Sequence, residues 1–192
     1  PLPVVPGSSP TRFLGIHGDM SGDCTAQIAM VYQKSAAIIA FLQERKLSPR
    51  QGLTLVSMTL PSLLRFSGCV VPWSKTQLQK LDSLWMYAYK LACWLPASTA
   101  SCLLRFPTTL GGRALPTPLG VLCHTVWGHL ERCCVREGGL LTLARAEYEE
   151  SLTSLQCSSL LEVQEALRVR ETPWHQTLHN QFSYACFLAQ SL

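Results

Sequence analysis

Long apolar runs are missing from this 192-residue chain: none approaches the about 20 residues that cross a bilayer, so no transmembrane helix is expected. A secretion signal is missing too. The opening PLPVVPGSSP has no basic start and reads as polyproline II or loop. No glycine-rich loop of the Walker type and no G-x-S-x-G elbow occurs, which removes the usual signatures of P-loop nucleotide hydrolysis and α/β-hydrolase chemistry. LGGRALPTPLG has the glycines but lacks the Lys-Ser/Thr, and reads as a turn. Also missing is an initial methionine. The chain begins at Pro1, and the expectation is a piece of something longer.

What is present starts with a core. Hydrophobic residues make up 47% of the chain, enough for one medium domain or two small ones. Nine cysteines are scattered without a paired spacing and their number is odd. With no secretion signal they read as reduced thiols, mostly core filler, of an intracellular protein, nuclear or cytoplasmic. The net charge of +4 is unevenly spread: residues 1–136 carry 13 Lys/Arg against 5 Asp/Glu, and residues 137–192 carry 3 against 7. A basic larger part with an acidic tail suits a polyanion-binding face followed by a different module, or two ordinary solvated surfaces.

The pattern along the chain is helical after one exception. TRFLGIHGDMSGD (Thr11 to Asp23) alternates apolar and polar residues and turns through Gly18, Ser21 and Gly22, as a short β-hairpin would. Asp23 is placed to cap a helix to about Lys46, with Ile28, Val31, Ser35, Ile38 and Leu42 on one face, widened by Tyr32 and Ile39. LSPRQ starts a second helix, with Ser48 as N-cap, Pro49 at the first position and Gln51 completing a capping box. Its face of Leu53, Val56 and Leu60 runs into Pro61, where a kink or a new start is expected. In PWSKTQLQKLD, Ser74 and Gln77 form a second capping box, and Trp73 and Leu78 have the spacing of a hydrophobic staple. That third helix buries Leu78, Leu81, Trp85, Ala88, Ala92 and Leu95, shows Lys75, Gln79, Asp82, Met86 and Lys90 on the other side, and stops at Pro96. A stretch broken by Pro and Gly follows, then helices at about 118–136, 141–170 and 173–191.

Two clusters invite a metal. Asp19 and Asp23 flank the hairpin turn, where Asp and Gly are expected for backbone reasons alone. CHTVWGHLERCC offers Cys123, His124, His129, Cys133 and Cys134, but histidines five apart on a helix point away from each other. It reads as core cysteines beside solvated histidines. No metal ligand is assigned.

Taken in order, several stretches resemble the end of a reverse transcriptase from a non-LTR (LINE-like) retrotransposon. RFLGI resembles the strand-turn-strand of the primer grip. The three helices from Asp23 to Lys46, Ser48 to Phe66 and Ser74 to Leu95 resemble the thumb, and LPSLLRFSG resembles its helix with a proline near the middle. LQKLD, LPASTASCLLRFP and GGRALPTP resemble the segment in which a Leu-Pro-x-Ser/Thr turn precedes a Gly-Gly-x-x-Leu-Pro turn. The resemblance covers about residues 11–122 and none of 123–192.

The resemblance implies a mainly α fold: a primer-grip-like hairpin (1–22), a thumb-like three-helix bundle (23–122) and a further helical segment of unassigned role (123–192). It implies an RNA–DNA or RNA duplex as partner, together with the palm domain of a parent chain. It carries over Phe13, Leu14, Gly15 and Ile16 as positions near the primer end, Gly15 because a residue without Cβ admits another backbone. The polymerase would need magnesium held by palm aspartates. This chain has only Asp19, Asp23 and Asp82 and no aromatic-x-Asp-Asp motif. The expectation is therefore a chain that binds duplex without polymerising and holds no cofactor itself. Candidate backbone contacts are Lys34, Arg45, Lys46, Arg50, Lys75 and Lys90. Two other classes stay open: a helical protein-interaction module derived from a mobile element, and a small enzyme built on the Cys/His cluster. A continuous basic groove favours nucleic acid, and scattered charge favours a protein partner.

Overall fold

The computed structural model describes residues 11–13, 16–18, 23–68 and 70–135, and in the C-terminal part Thr142, Ala146, Glu149, Glu150, Thr153 and Glu162, all helical. The fold is mainly α. Two strands, β1 (Thr11–Phe13) and β2 (Ile16–Gly18), precede the helices α1 (Thr25–Glu44), α2 (Pro49–Ser67), α3 (Lys75–Ala92), α4 (Ser101–Arg105) and α5 (Pro118–Val135), with a 3₁₀ turn at Thr108–Leu110. The chain divides into two compact units, residues 1–117 and 118–192. The expected helices within 141–170 and at 173–191 otherwise lie outside the described residues.

The hairpin is present, with its reversal where the strand-turn-strand reading of RFLGI puts it. β1 and β2 pair antiparallel as Thr11 with Gly18, Arg12 with His17 and Phe13 with Ile16. The reversal therefore lies between Phe13 and Ile16, not at 18–22, because two residues are the commonest connection between antiparallel strands. Gln27 on α1 secures it: its side-chain oxygen accepts the His17 backbone N–H at 3.0 Å. Asp23 acts just ahead of the helix, accepting the Thr25 N–H at 2.8 Å, while Cys24 takes the N-cap position.

Both capping boxes form. Ser48 Oγ accepts the Gln51 N–H and Gln51 Oε1 accepts the Ser48 N–H; Ser74 and Gln77 repeat the arrangement. Each box satisfies two amides that a bare helix end would leave open. Trp73 and Leu78, the expected staple pair, are both buried.

Helix directions follow from contacts at known heights. Tyr32 on α1 donates its hydroxyl to the Gln77 carbonyl on α3 at 2.6 Å, and eleven residues later Gln43 donates to the Tyr87 hydroxyl at 3.2 Å. The α1 and α3 numbers rise together, so these helices run parallel. At Gly52 a β-carbon would stand 3.0 Å from the Ala92 carbonyl oxygen, which puts the start of α2 against the end of α3. The result is an up-down-up bundle. Its core is made by Val31, Val56, Leu60, Leu64, Val71, Trp73, Leu81, Trp85 and Tyr89. The Tyr32 and Trp73 rings meet edge to face, 6.4 Å apart.

Two packing expectations are corrected and one is narrowed. Helix α2 runs through Pro61 to Ser67 without restarting, and Pro61 is itself buried. The loss of one backbone donor is outweighed there by burying Leu60, Pro61 and Leu64 in one stripe. Met86 is buried, not displayed, because the apolar face of α3 is wide enough to take Trp85 and Met86 together. On α1 the buried stripe is Gln27, Val31, Ser35 and Ile39, spaced by four, with Ile28 and Ile38 only at its edge.

Helix α3 ends at Ala92, before the expected stop at Pro96. Trp94 N–H donates to the Leu91 carbonyl at 3.0 Å and Leu95 N–H to the Lys90 carbonyl at 2.9 Å, the two bonds of a Schellman cap. Trp94 holds the left-handed position usually given to glycine, with φ of 57°. The following segment is tied back by Leu115 N–H to the Leu104 carbonyl at 3.0 Å and by the Tyr89 hydroxyl to the Pro116 carbonyl at 3.3 Å. Gly112 lies so close to the Phe106 carbonyl that any side chain there would collide with it. In the second unit, α5 buries Pro118, Val121, Leu122, Cys123 and Val126 along one side.

Candidate nucleic-acid interface

The expected site residues do not form one surface. Phe13 and Ile16 are the closing pair of the hairpin, while Leu14 and Gly15 lie outside the described residues. Because Gln27 fixes the hairpin near the start of α1, these positions sit at one end of the bundle. Lys75, at the first position of α3, is exposed at that same end. Lys34 is exposed ten residues before the α1 terminus, about 15 Å along the axis.

The opposite end holds the cluster. Arg45 and Lys46 leave α1, Arg50 enters α2, and all three are exposed. Arg45 also lies over the Phe41 ring, 5.9 Å from its centre, which fixes part of its side chain. Lys90 stands near this end but is committed locally. Its ammonium donates to the Ala97 carbonyl at 2.7 Å and closes the loop after α3. From Lys75 to Lys90 is about 22 Å along α3, so the two cannot serve one phosphate.

Arg113 belongs to the cluster and was missed in the sequence. It lies in a segment with no helical period, and only the return of the chain after Gly112 carries it to α2. There Arg113, Pro49, Arg50, Leu53, Thr54 and Cys93 line an open groove of about 430 Å³. Burial pushes the Cys93 thiol pKa up, and the charge of Arg113 partly opposes that. Arg45, Lys46, Arg50 and Arg113 have no carboxylate partner among the described residues.

Charge is supplied unevenly by the sequence. Residues 23–117 contain ten Lys/Arg against three acids, Asp23, Glu44 and Asp82. Asp82 is spent on Arg105, with which it forms an ion pair. That pair lies in a second groove, lined also by Ser83, Met86, Tyr87, Lys90, Ala97 and Ser101, and leaves it of mixed sign. The Arg50–Arg113 groove, by contrast, has no acid in its lining.

The helix starts also bear on anion binding. Free backbone amides at the beginnings of α2 and α3 would suit a phosphate. In α2, however, Pro49 has no N–H, Ser48 Oγ takes that of Gln51, and the Ser48 carbonyl takes that of Gly52 at 2.9 Å. In α3 the Gln77 and Leu78 amides are taken in the same way. The capping boxes take the N-cap and third-position amides, and Gly52 and Leu78 make ordinary helical bonds, so the amides of Arg50, Lys75 and Thr76 are not used by the caps.

Of the described cysteines only Cys123 is buried; Cys24 and Cys93 are half-buried and Cys102 is exposed, so core filling does not describe most of them. No three His, Cys, Asp or Glu side chains converge as a metal site among the described residues. Asp19 lies outside them, as do the side chains of Cys133 and Cys134. No helix among the described residues is long and apolar enough to cross a membrane. In comparisons with known proteins, the chain matches no family model, no curated protein and no solved structure.

Proposed function

We propose that this chain grips a nucleic-acid duplex through its sugar-phosphate backbone, in the manner of the thumb of a non-LTR retrotransposon reverse transcriptase. The observation that carries the reading is the group of four cations, Arg45, Lys46, Arg50 and Arg113, at one end of the bundle, none of them ion-paired with a carboxylate among the described residues although Glu44 ends α1 beside them. Unpaired like charge held together by a folded scaffold is stabilised by a polyanion, and phosphate contacts of this kind position a duplex without reading its sequence. From Gln27 to Glu44 the bundle is about 25 Å long. A duplex lying along it meets the hairpin and Lys75 at one end and the cation cluster at the other. Its partners on this reading are an RNA–DNA or RNA duplex and the palm domain of a parent polymerase, which would hold the magnesium. The compartment is the nucleus or cytoplasm. Alone, the chain does not polymerise.

Titrating the full chain against a blunt RNA–DNA duplex over a salt series tests this. Log K should fall with log salt at a slope of about −3 to −5, at about −0.9 per neutralised phosphate. Replacing Arg45, Lys46 and Arg50 together with Gln should make the slope shallower by about two to three. Absence of binding at low salt, or binding indifferent to salt, overturns the reading. It would favour the protein-interaction module, for which the outer face of α2 offers Met58, 70% exposed.

A further inference from the structure

The end of α3 carries a conflict between chemistry and conformation. Trp94 is a bulky residue with φ of 57°, a backbone position that costs a non-glycine residue about 1–2 kcal/mol. It is also 68% exposed, so little burial of the indole offsets that cost. A glycine would make the same two cap bonds, which run from backbone N–H groups alone. Pro96 follows two residues later, and the Lys90 ammonium holds the Ala97 carbonyl, so the loop presenting Trp94 is fixed from behind.

What lies beside Trp94 decides its use. Cys93, the preceding residue, lines the groove that Arg50 and Arg113 share, so Trp94 is attached to the chain at the edge of that groove without being part of its lining. The site thus combines two guanidiniums with no ion-pair partner among the described residues and, next in the chain, an indole that is mostly exposed. A phosphate satisfies the first, and a base without a pairing partner satisfies the last. Bases inside a duplex keep their faces stacked on each other, so apart from the terminal pair only an unpaired nucleotide offers a free face.

We infer that the Arg50–Arg113 groove and Trp94 form a binding site for a single-stranded nucleotide next to the duplex, its phosphate on the arginines and its base on the indole. This rests on the duplex-gripping reading and refines it: the ligand is a duplex with a single-stranded overhang. Arg50 and Arg113 supply salt-dependent attraction, and Trp94 supplies stacking that tolerates any base.

The test measures binding of the full chain to two RNA–DNA duplexes, one blunt and one carrying a four-nucleotide uridine overhang. With the native chain the overhang should tighten binding about tenfold, within the range stacking of one base provides. Trp94→Gly, which relieves the left-handed strain and keeps the cap, should remove that gain while leaving blunt-duplex affinity and its salt slope unchanged. Trp94→Phe cannot escape the strain but should retain part of the gain. Equal affinity for the two duplexes, or a gain that survives Trp94→Gly, overturns the inference and leaves the duplex reading standing. Absence of binding to both overturns the two together. Thermal melts of each variant confirm folding, and Trp94→Gly should melt no lower than the native chain.

Discussion

A β-carbon on Gly52 would stand 3.0 Å from the carbonyl oxygen of Ala92 and 3.3 Å from its β-carbon. The start of α2 and the end of α3 therefore touch backbone to backbone, and this contact brings Arg50 beside Cys93 and Arg113. Two small residues, 40 positions apart, set the width of the groove.

Gly52→Val should accordingly destabilise the chain by about 1–3 kcal/mol, the usual cost of overpacking a tight contact. Gly52→Ala is the finer probe, since the better helix propensity of alanine, about 1 kcal/mol, works against the close contact. Chemical denaturation measures both. A valine variant as stable as the native chain would mean that the helices separate freely there.

The Gln27 side chain is 2% exposed and holds the β2 backbone through His17. Gln27→Ala should loosen the hairpin and leave the helices in place, at a cost of about 1 kcal/mol. Hydrogen exchange read by mass spectrometry should show faster exchange at residues 16–18 and little change in α2 and α3. Unchanged exchange at His17 would show that the strand is held by something else.

Lys90 stands apart from the other cations because its ammonium is already bonded to the Ala97 carbonyl. Lys90→Gln should leave the salt slope of duplex binding unaltered, whereas Arg50→Gln should reduce it by about one. Equal reductions for the two would show that Lys90 leaves its loop to reach phosphate.

Alkaline pH should weaken the fold through Cys123. Burial raises its thiol pKa from the ordinary 9.0 to about 11. The unfolded chain then releases that proton first, so the contribution is complete below pH 9 and is lost as pH rises towards 11. Denaturation at pH 8, 9 and 10 should show falling stability, with a smaller fall in Cys123→Ala. Equal falls in the two proteins would assign the effect to other groups, Tyr32 and Tyr89 among them, whose pKa values burial also raises.

What was legible in the sequence was what neighbouring residues decide between themselves. Ser48 with Gln51 and Ser74 with Gln77 form their boxes inside one turn, and the helices begin where those pairs say. Met86 was misread, and the restart that was one of two outcomes expected at Pro61 does not occur, because the fate of both depends on a facing helix: a position with a poor local score is kept when the partner surface buries it. Gln27 was passed over since a polar residue inside an apolar stripe only makes sense once a strand with an open N–H is placed against it. At the site, Arg45, Lys46 and Arg50 were visible as charge near one helix connection. Arg113 and Trp94 were not, because one arrives through a loop without period and the other is defined by a φ angle.

The parallel run of α1 and α3 also sets an order of assembly. α1 and α2 are antiparallel and joined by a short connection, as are α2 and α3, so the contacts nearest each connection close small loops, whereas Tyr32 on α1 reaches Gln77 on α3 across 45 residues. The entropy of closing a loop grows with the logarithm of its length, and contacts distant in sequence slow folding. The α1–α3 contacts are thus the last to close, after two hairpins that share α2. A core substitution at Leu60, on α2, should then slow folding, while Tyr32→Phe should chiefly hasten unfolding.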